Sequence, residues 1–444
     1  MTTAAEPTTD TAVLEQSSPK EVRRVMISSF LGTTIEYYDF LLYATASGLV
    51  FGPVFFAGLP AWAATLTSFA TLAIGYVARP LGGIIFGHFG DRYGRKKMLI
   101  VTMMVMGIAS VLIGLLPTTE QIGPMAGILL VTLRALQGIA IGGEWGGAVL
   151  MSAEHSPAAS RGFTASWTNA GAPAGSVLGS VLFALFSGLP QDQFLAWGWR
   201  IPFLLSALLL VVGLIVRHSV SESPVFLAAM RKAERAERER PRAPIVAVLR
   251  NPKTVLMTAV AFMANPAISI LFPTVGLALA VGAGADQSAV LLVSSAAMFV
   301  QIFTIPMFAA LSDRLGRKRV MVAALLAAAV WVLGFFPAVQ SGNLLLIALV
   351  FFLGMPLIHA ALIGPLPSFL SEQFRTEERF TGLSLGYQLS SLLGGFTPLI
   401  LTALMGAEKA IVPAMAFLVV VYLISALFLT RMPERRTASL EETA

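Results

Sequence analysis

The sequence predicts an all-α polytopic membrane protein with twelve transmembrane helices in two pseudo-symmetric six-helix bundles. Its composition, its recurring apolar segments and an internal repeat carry this prediction. Of the 444 residues, 56% are hydrophobic and 12% are charged, about half the roughly 25% charged share of a soluble domain. This composition excludes a soluble enzyme and a disordered chain. The absence of cysteine also excludes a disulfide scaffold, thiolate catalysis and a cysteine-ligated metal.

Apolar segments long enough to cross about 30 Å of hydrocarbon recur along the chain. They lack the alternating pattern of an outer-membrane barrel, and their glycine and alanine content favours helices packed closely on one another. The predicted spans are residues 26–52, 62–88, 97–117, 123–150, 163–187, 200–217, 254–281, 288–311, 319–338, 343–370, 380–405 and 410–429.

The positions of lysine and arginine predict the orientation. Basic loops lie on one side of the twelve-span arrangement, and Lys409 is the one basic residue in a loop on the other side. The positive-inside rule therefore predicts a multi-pass protein of the cytoplasmic membrane with both termini in the cytoplasm. We expect the charged segment 231–244 to be a solvated linker. The predicted parts are a tail (1–25), a first bundle (26–217), a linker (218–253), a second bundle (254–430) and a tail (431–444).

An internal repeat relates the two halves of the chain. The segment from Asp91 to Lys96 recurs 222 residues later as the segment from Asp313 to Lys318. Glu154 and Arg161 likewise recur as Glu372 and Arg379. Parallel repeats of this kind place a substrate site between the halves near the middle of the bilayer, and rocking of the halves alternates access to it. The repeat therefore favours a transporter.

Ionisable residues well inside the spans are costly and indicate pathways or proton relays. The acidic and strongly basic ones all fall in the first half of the chain; they are Glu36, Asp39, Arg79, Arg134 and Glu144. Similar depth predicts that Glu36 pairs with Arg79 and that Asp39 pairs with Arg134. Glu144 lies about 15 Å along the helix from Arg134, so these two should not touch. Spacing also places Glu36, Asp39 and Tyr43 on one face of the first span.

These charges support two interpretations. A carboxylate without a partner in a low-dielectric medium takes up a proton, which makes a proton-coupling site physically reasonable. An arginine keeps its charge and can hold an anionic substrate through two hydrogen bonds. The alternative is that the charges are ion pairs that pack helices and carry no ion traffic.

Six motifs in order resemble the metabolite:proton symporter branch of the major facilitator superfamily. The resemblance covers the chain from Val22 to Met432. The motifs are SSFLGTTIEYYDFLLYATA (28–46), GHFGDRYGRKK (87–97), RALQGIAIGGEWGGA (134–148), WGWRIPF (197–203), ESPVF (222–226) and RFTGLSLGYQLSSLLGG (379–395).

The resemblance implies a two-bundle fold and substrate–proton symport, with Asp39 and Arg134 at the positions of the protonation switch. We include Glu36 with them as a proton-coupling candidate. The candidate substrate contacts are Arg79, Glu144, Tyr43, Gln137, Asn169, His359, Tyr387 and Gln388. The residues that resemble the gate motif and its partners are Gly87, Asp91, Arg92, Gly94, Arg95, Asp313, Arg314, Gly316, Arg317, Glu154, Arg161, Glu372 and Arg379.

The sequence thus predicts a proton-coupled importer of a small organic anion, a carboxylic acid. A symporter of a zwitterionic osmolyte is the near alternative. A proton-driven efflux antiporter is a further one, although Ser176 stands where the efflux signature has proline. A channel or membrane sensor is disfavoured because an open pore needs no gate motif on each half. We expect no enzymatic activity, cofactor, metal or nucleic-acid partner, and a monomer in the lipid bilayer.

Overall fold

A computed structural model describes residues 18–235, 244–250, 252–406 and 410–436. Most of the charged segment 231–244, Lys409 and the greater part of both predicted tails lie outside these residues.

Six long helices form the first half of the described chain. Short helical segments lie in the connections at Phe51–Phe55, Thr119–Ile122, Ala158–Ser160 and Gln191–Gln193, and a π-helical turn at Phe194–Gly198 leads into the last long helix. The long helices are α1 (Pro19–Leu49), α2 (Ala61–Tyr93), α3 (Arg95–Leu115), α4 (Met125–Glu154), α5 (Arg161–Ser187) and α6 (Arg200–His218).

The second half repeats this arrangement after two connecting helices, Pro224–Arg235 and Pro244–Arg250. Its long helices are α7 (Lys253–Gly282), α8 (Gln287–Leu315), α9 (Arg317–Gln340), α10 (Leu344–Ser371), α11 (Arg379–Met405) and α12 (Ile411–Arg431). Helices α7 and α10 each contain a π-helical turn, at Phe272–Gly276 and Gly354–His359. Such turns are frequent at functional sites.

Within the described residues, eleven helices are long and apolar enough to cross a membrane. The exception is α1, which carries Glu36 and Asp39 in its middle. This helix packs along α5 and α6 as part of the first bundle, and it supplies the twelfth span. The predicted twelve-helix fold in two bundles is confirmed, and the predicted spans agree with the helices except for differences at their ends.

Equivalent glycines reveal the repeat in the backbone. Gly94 separates α2 from α3, and Gly316 separates α8 from α9. Their φ angles are 110° and 105°, a region that residues with a side chain rarely adopt. The conformation explains why both copies of the motif keep glycine at this position.

Helices α2 and α4 approach each other through glycine. A Cβ atom added to Gly142 would lie 2.0 Å from the carbonyl oxygen of Arg79, and one added to Gly82 would lie 1.8 Å from that of Ile139. Small residues permit such backbone contact between membrane helices, where van der Waals packing drives association. The contact holds Arg79, on α2, against α4.

We predict that Gly142→Ala lowers the free energy of unfolding by about 1–3 kcal/mol, because backbone atoms cannot give way to the added methyl group. The midpoint of thermal unfolding in detergent measures this change. Gly334→Ala is the matched control, since no atom lies within 4 Å of a Cβ added there. An equal midpoint for the two variants would contradict the proposed role of the α2–α4 contact.

Candidate functional site

We name the two ends of the helix bundle by the chain segments they carry. The end with Ser18 and Arg436 is called the terminal face. Glu21 there accepts hydrogen bonds from the backbone and hydroxyl of Ser221, both at 2.7 Å. Arg436 donates to the carbonyl oxygen of Asp313 at 3.2 Å. The loops that contain both copies of the repeated motif therefore lie at this face.

A cavity of about 240 Å³ lies between the two halves. Its walls come from α1, α2, α4 and α5 on one side and from α7, α8, α10 and α11 on the other. The volume is below the roughly 300–1,000 Å³ of sites for drug-sized ligands, so the cavity suits a small metabolite. The predicted substrate candidates among its lining residues are Arg79, Asn169, His359, Tyr387 and Gln388.

The first-half wall of the cavity contains Glu36 and Arg79. Glu36 is 4% exposed, and its Oε2 atom has no hydrogen-bond partner in the described chain. The guanidinium carbon of Arg79 lies 4.4 Å from the ring centroid of Tyr76 and 5.3 Å from that of Phe40, at cation–π distances. No ion pair within 4 Å joins Arg79 to a carboxylate of the described residues. The predicted direct Glu36–Arg79 pair is therefore wrong.

The second-half wall is neutral and hydrogen-bonded within itself. Gln301 Nε2 lies 2.8 Å from His359 Nδ1, and His359 Nε2 lies 2.9 Å from Asn265 Oδ1. Each ring nitrogen of His359 thus has one amide partner, an arrangement that a neutral imidazole satisfies. His359 is a member of a polar chain that faces the cavity.

An aromatic stack crosses the cavity from one half to the other. The rings of Trp145 and Tyr387 are 3.6 Å apart with an interplanar angle of 15°. Trp145 Nε1 donates to Asn169 Oδ1 at 2.7 Å, and Asn169 Nδ2 donates to the carbonyl oxygen of Ile363 at 2.7 Å. These hydrogen bonds hold the flat apolar surface of the two rings beside the cavity wall that contains Glu36 and Arg79.

Asp39 lies behind the cavity wall rather than in it. It is 1% exposed, and its Oδ1 atom accepts a hydrogen bond from Ser206 on α6 at 2.6 Å. Ser110 on α3 is a second hydroxyl that hydrogen-bonds the carboxylate. Turning by about 100° per residue directs Asp39 toward α6, whereas Glu36 and Phe40 face the cavity. Glu36 and Asp39 are predicted to share one face of α1, but their side chains lie in different surroundings, Glu36 in the cavity wall and Asp39 against α6.

Arg134 is buried in the same region without a direct bond to Asp39. Its guanidinium carbon lies 4.1 Å from the ring centroid of Tyr43, and it donates to Gln137 Oε1 at 3.3 Å. Gln137 Nε2 in turn donates to Ser110 Oγ at 2.8 Å. No ion pair within 4 Å links Asp39 to Arg134 in the described chain, so the predicted direct pair is wrong. Tyr43 and Gln137, expected to contact substrate, surround Arg134 instead.

Glu144 forms a separate buried ion pair within the first half. It pairs with Arg217 at the end of α6 and accepts a hydrogen bond from Thr102 at 2.5 Å. It is not among the residues that line the cavity, so its role as a substrate contact stays a prediction without support from this geometry. The expectation that it avoids Arg134 is consistent with these partners. Sequence reasoning missed Arg217 because this residue lies at the edge of a predicted span.

The first latch, which we define as Asp91, Arg95, Glu154 and Arg379, joins the halves at the terminal face. Asp91 accepts hydrogen bonds from the backbone nitrogens of Phe380 and Thr381 at 3.1 and 2.9 Å. These groups begin α11, so the carboxylate is at a favourable helix N-terminus. Glu154 contacts Arg95 at 3.5 Å in its own half and Arg379 at 3.2 Å in the other.

The second latch, defined as Asp313, Arg317, Glu372 and Arg161, repeats this pattern with the halves exchanged. Asp313 accepts from the backbone nitrogens of Gly162 and Phe163 near the start of α5, each at 2.9 Å. Glu372 contacts Arg317 at 2.8 Å and Arg161 at 3.0 Å. Burial raises the pKa of Glu372, and the two guanidiniums oppose this effect.

Other motif residues support the latches. A Cβ atom on Gly87 would lie 2.7 Å from Thr381 Cα, so glycine permits α2 and α11 to touch. Arg92 lies over the ring of Tyr93 at 5.7 Å, and the carbonyl oxygen of Arg314 accepts from Arg436 at 2.6 Å. Within the described residues, these contacts of Arg92 and Arg314 do not join the two halves.

Two carboxylates outside the predicted set complete the latch loops. Glu222 accepts from the backbone nitrogens of Arg95 and Lys96 at 3.1 and 3.2 Å, and Glu434 accepts from that of Lys318 at 2.9 Å. Each caps the helix that follows the glycine turn. The position of a glutamate just after the last span of each half is the signal that could have found them.

No group of three or more histidine, aspartate or glutamate side chains suitable for a metal ion occurs among the described residues.

Comparison with known proteins identifies the family. Residues 24–244 match the family model described as "Sugar (and other) transporter", and residues 256–444 match that of the "Major Facilitator Superfamily". The chain is 38% identical to the shikimate transporter of Escherichia coli (strain K12), over 87% of this chain and 89% of that protein. The chain belongs to the major facilitator superfamily, in its metabolite:proton symporter family. It is therefore a multi-pass membrane transporter of small molecules and not an enzyme.

Two further comparisons agree with this identification. The chain is 33% identical to the glycine betaine/proline/ectoine/pipecolic acid transporter OusA of Dickeya dadantii (strain 3937), over 91% of this chain and 82% of that protein. A solved structure of the proton:xylose symporter XylE bound to 6-bromo-6-deoxy-D-glucose matches with a TM-score of 0.78, at 18% identity, over 96% of this chain and 98% of that one. The latter supports the fold.

We predict that Asp91→Asn opens this facilitator more often at the terminal face. Losing about 1.5 kcal/mol of hydrogen bonding to a charged group shifts the open–closed equilibrium about tenfold. The chain has no cysteine, so Ser391→Cys in the cavity wall provides a single labelling site. The rate of labelling by a membrane-impermeant thiol reagent from the terminal face should rise about tenfold in the Asp91→Asn background. Arg92→Gln is the control in the same motif; an equal effect there would contradict the latch assignment.

Proposed function

We propose that this symporter imports a small organic anion, a carboxylic acid metabolite, together with a proton by alternating access. Arg79 carries the proposal, because its guanidinium lies in the wall of the cavity with no carboxylate within ion-pair distance among the described residues. An arginine inside a membrane protein is costly to bury, and here its charge is available to a ligand. Two hydrogen bonds from a planar guanidinium match a carboxylate.

Asp39 and Arg134 would couple this binding to the proton. Asp39 is buried and makes no ion pair within 4 Å in the described chain, a state that proton uptake relieves. Arg134 stays charged and lies nearby in a network with Gln137 and Tyr43. We assign proton carriage to Asp39, and we assign to Arg134 the control of when that proton is held.

The terminal face would lie in the cytoplasm. Both copies of the basic motif and the chain ends lie at this face, as the positive-inside rule requires of a cytoplasmic surface. The two latches then close the cytoplasmic entrance. Because one chain supplies all the walls of the cavity, we propose that the monomer is the transport unit.

A zwitterionic osmolyte is the second candidate, and one observation favours it. Glu36 lies in the same cavity as Arg79, among the rings of Tyr37, Phe40 and Tyr76. With Glu36 ionised, the cavity carries both charges of a zwitterion, and aromatic rings attract a quaternary ammonium group. With Glu36 protonated, the cavity carries a net positive charge and favours an anion.

Uptake into proteoliposomes tests the function and separates the two candidates. Under an inward proton gradient, we expect accumulation of a monocarboxylic acid that collapses with a protonophore. A monoanion entering with one proton moves no net charge, whereas a zwitterion entering with one proton carries a current. Arg79→Gln should abolish saturable uptake of the acid. Accumulation of betaine with a current, and none of any acid, would replace the first candidate with the second.

We predict that Asp39→Asn removes proton-driven accumulation but retains exchange, because exchange needs no net proton movement. Counterflow of preloaded substrate measures exchange, and gradient-driven uptake measures coupling. Asp192→Asn, an exposed acid in the connection before α6, is the control and should behave as the wild type. Full accumulation by Asp39→Asn would exclude Asp39 as the proton carrier.

A further inference from the structure

A second, smaller cavity lies inside the first half, and we call it the small cavity. Its volume is about 10 Å³, close to the space that one water molecule needs. The charged residues that line it in the described chain are both cations, Lys96 and Arg217, and Ser28 and Ser29 add hydroxyl groups. Lys96 Nζ donates to the carbonyl oxygen of His218 at 2.9 Å, in an exposed hydrogen bond at the end of α6. The small cavity is therefore next to the terminal face.

One face of α1 connects the small cavity with the central cavity between the halves. Ser28, Gly32 and Glu36 follow one another at intervals of four residues, which places them one helical turn apart on that face. Ser28 lines the small cavity and Glu36 lines the central one, about 12 Å apart along the helix axis. A Cβ atom added to Gly32, midway between them, would lie 3.1 Å from Glu144 Oε1 and 3.0 Å from the guanidinium carbon of Arg217. The Glu144–Arg217 ion pair therefore lies between the two cavities.

Both carboxylate oxygens of Glu144 already have donors. Oε1 pairs with Arg217, and Oε2 accepts from Thr102 at 2.5 Å. A proton that reached Glu144 from Glu36 would displace a donor and would lie beside a positive charge, which repels it. The guanidinium and the ammonium group of Lys96 would also repel a protonated water molecule in the small cavity.

We propose that Arg217 is an electrostatic barrier that stops protons from passing between the central cavity and the terminal face while the latches are closed. Protons that crossed without substrate would dissipate the gradient that drives a symporter. A fixed arginine charge excludes protons from water-conducting membrane pores by the same repulsion. The inference goes beyond the proposed function, because it concerns neither the substrate nor Asp39.

Removal of the guanidinium should open a path for protons. Glu144 would then be a buried carboxylate without a cation, a group that takes up a proton. A proton could leave Glu36 as a carboxylate, protonate Glu144, and pass from there to a water molecule in the small cavity and on to the terminal face. Each step moves one proton and needs no other reactant.

The rate at which a pH gradient collapses in proteoliposomes without substrate tests this inference. A pH-sensitive dye inside the vesicles reports the rate, valinomycin with potassium balances the charge, and protein-free vesicles give the background. We expect Arg217→Gln to raise the leak at least about tenfold, because a unit charge a few ångströms away changes the free energy of a proton by more than a factor of ten represents. Arg217→Lys keeps the charge and should stay within about twofold of the wild type. A wild-type leak in Arg217→Gln would overturn the inference.

A second substitution assigns the path to Glu144. The double variant Arg217→Gln, Glu144→Gln leaves no unpaired charge between the cavities, and its leak should return to within about twofold of the wild type because the relay carboxylate is gone. A leak that persists in the double variant would overturn the role of Glu144.

Two further variants keep the test decisive. If Arg217→Gln does not fold, Gly32→Ala serves instead, since the added methyl group pushes the flexible end of Arg217 away from α1 and should also raise the leak. Arg200→Gln is the matched control at the other end of α6, where Arg200 donates to the carbonyl oxygens of Gly114 and Leu116 at 2.9 and 2.7 Å. An equal leak in Arg200→Gln would contradict a specific barrier at Arg217. Because no substrate is present, these results stand apart from the test of the proposed function.

Discussion

The buried guanidinium groups at the terminal face are the constraint on which the relation between the two halves depends. Arginine cannot lose its proton in a protein, and the buried guanidiniums of the two latches are stabilised by carboxylates. Glu154 and Glu372 provide this stabilisation by contacting arginines of both halves. Breaking one partner of a buried pair costs about 3–5 kcal/mol, yet an intact pair gains little over separate hydrated charges. A latch of ion pairs is therefore stable as long as water is excluded from it. Once water hydrates all its charges, the open and closed states have similar free energies, which suits an interface that must open.

The two halves also differ in the charges that they place around the cavity. The repeat duplicated the latches, but the carboxylate and the guanidinium that line the cavity both lie in the first half, at Glu36 and Arg79. The second half offers amides and His359 in a neutral chain. A proton gained or lost on the first half therefore changes the net charge of the cavity directly, because the opposite wall holds no charge that could compensate.

Sequence reasoning predicted the helices and the repeated motif because both depend on local properties. Apolar length determines a span, and glycine with positive φ determines the turn at Gly94 and Gly316. The predicted direct contact of Glu36 with Arg79 failed because depth in the membrane does not determine which neighbour a side chain contacts. Both residues line one cavity wall, but the guanidinium of Arg79 lies against the rings of Tyr76 and Phe40. Glu144 shows the same limit, since its partner Arg217 comes from a helix end that hydropathy places at the membrane edge. The contacts that each latch makes between the two halves could also not be predicted from the sequence, because they depend on how the halves pack together.

The separation of Asp39 from the cavity raises the question of how a proton there could influence a ligand on Arg79. Phe40 provides a physical connection. Its ring centroid lies 5.3 Å from the guanidinium carbon of Arg79 and 5.4 Å from that of Arg134, so one ring contacts both arginines. Phe40 follows Asp39 directly in α1, and a change of charge at Asp39 that moves Arg134 must also change the packing around this ring. Because cores respond to such changes as packed units, the two sites can be coupled without a direct bond between the proton carrier and the substrate.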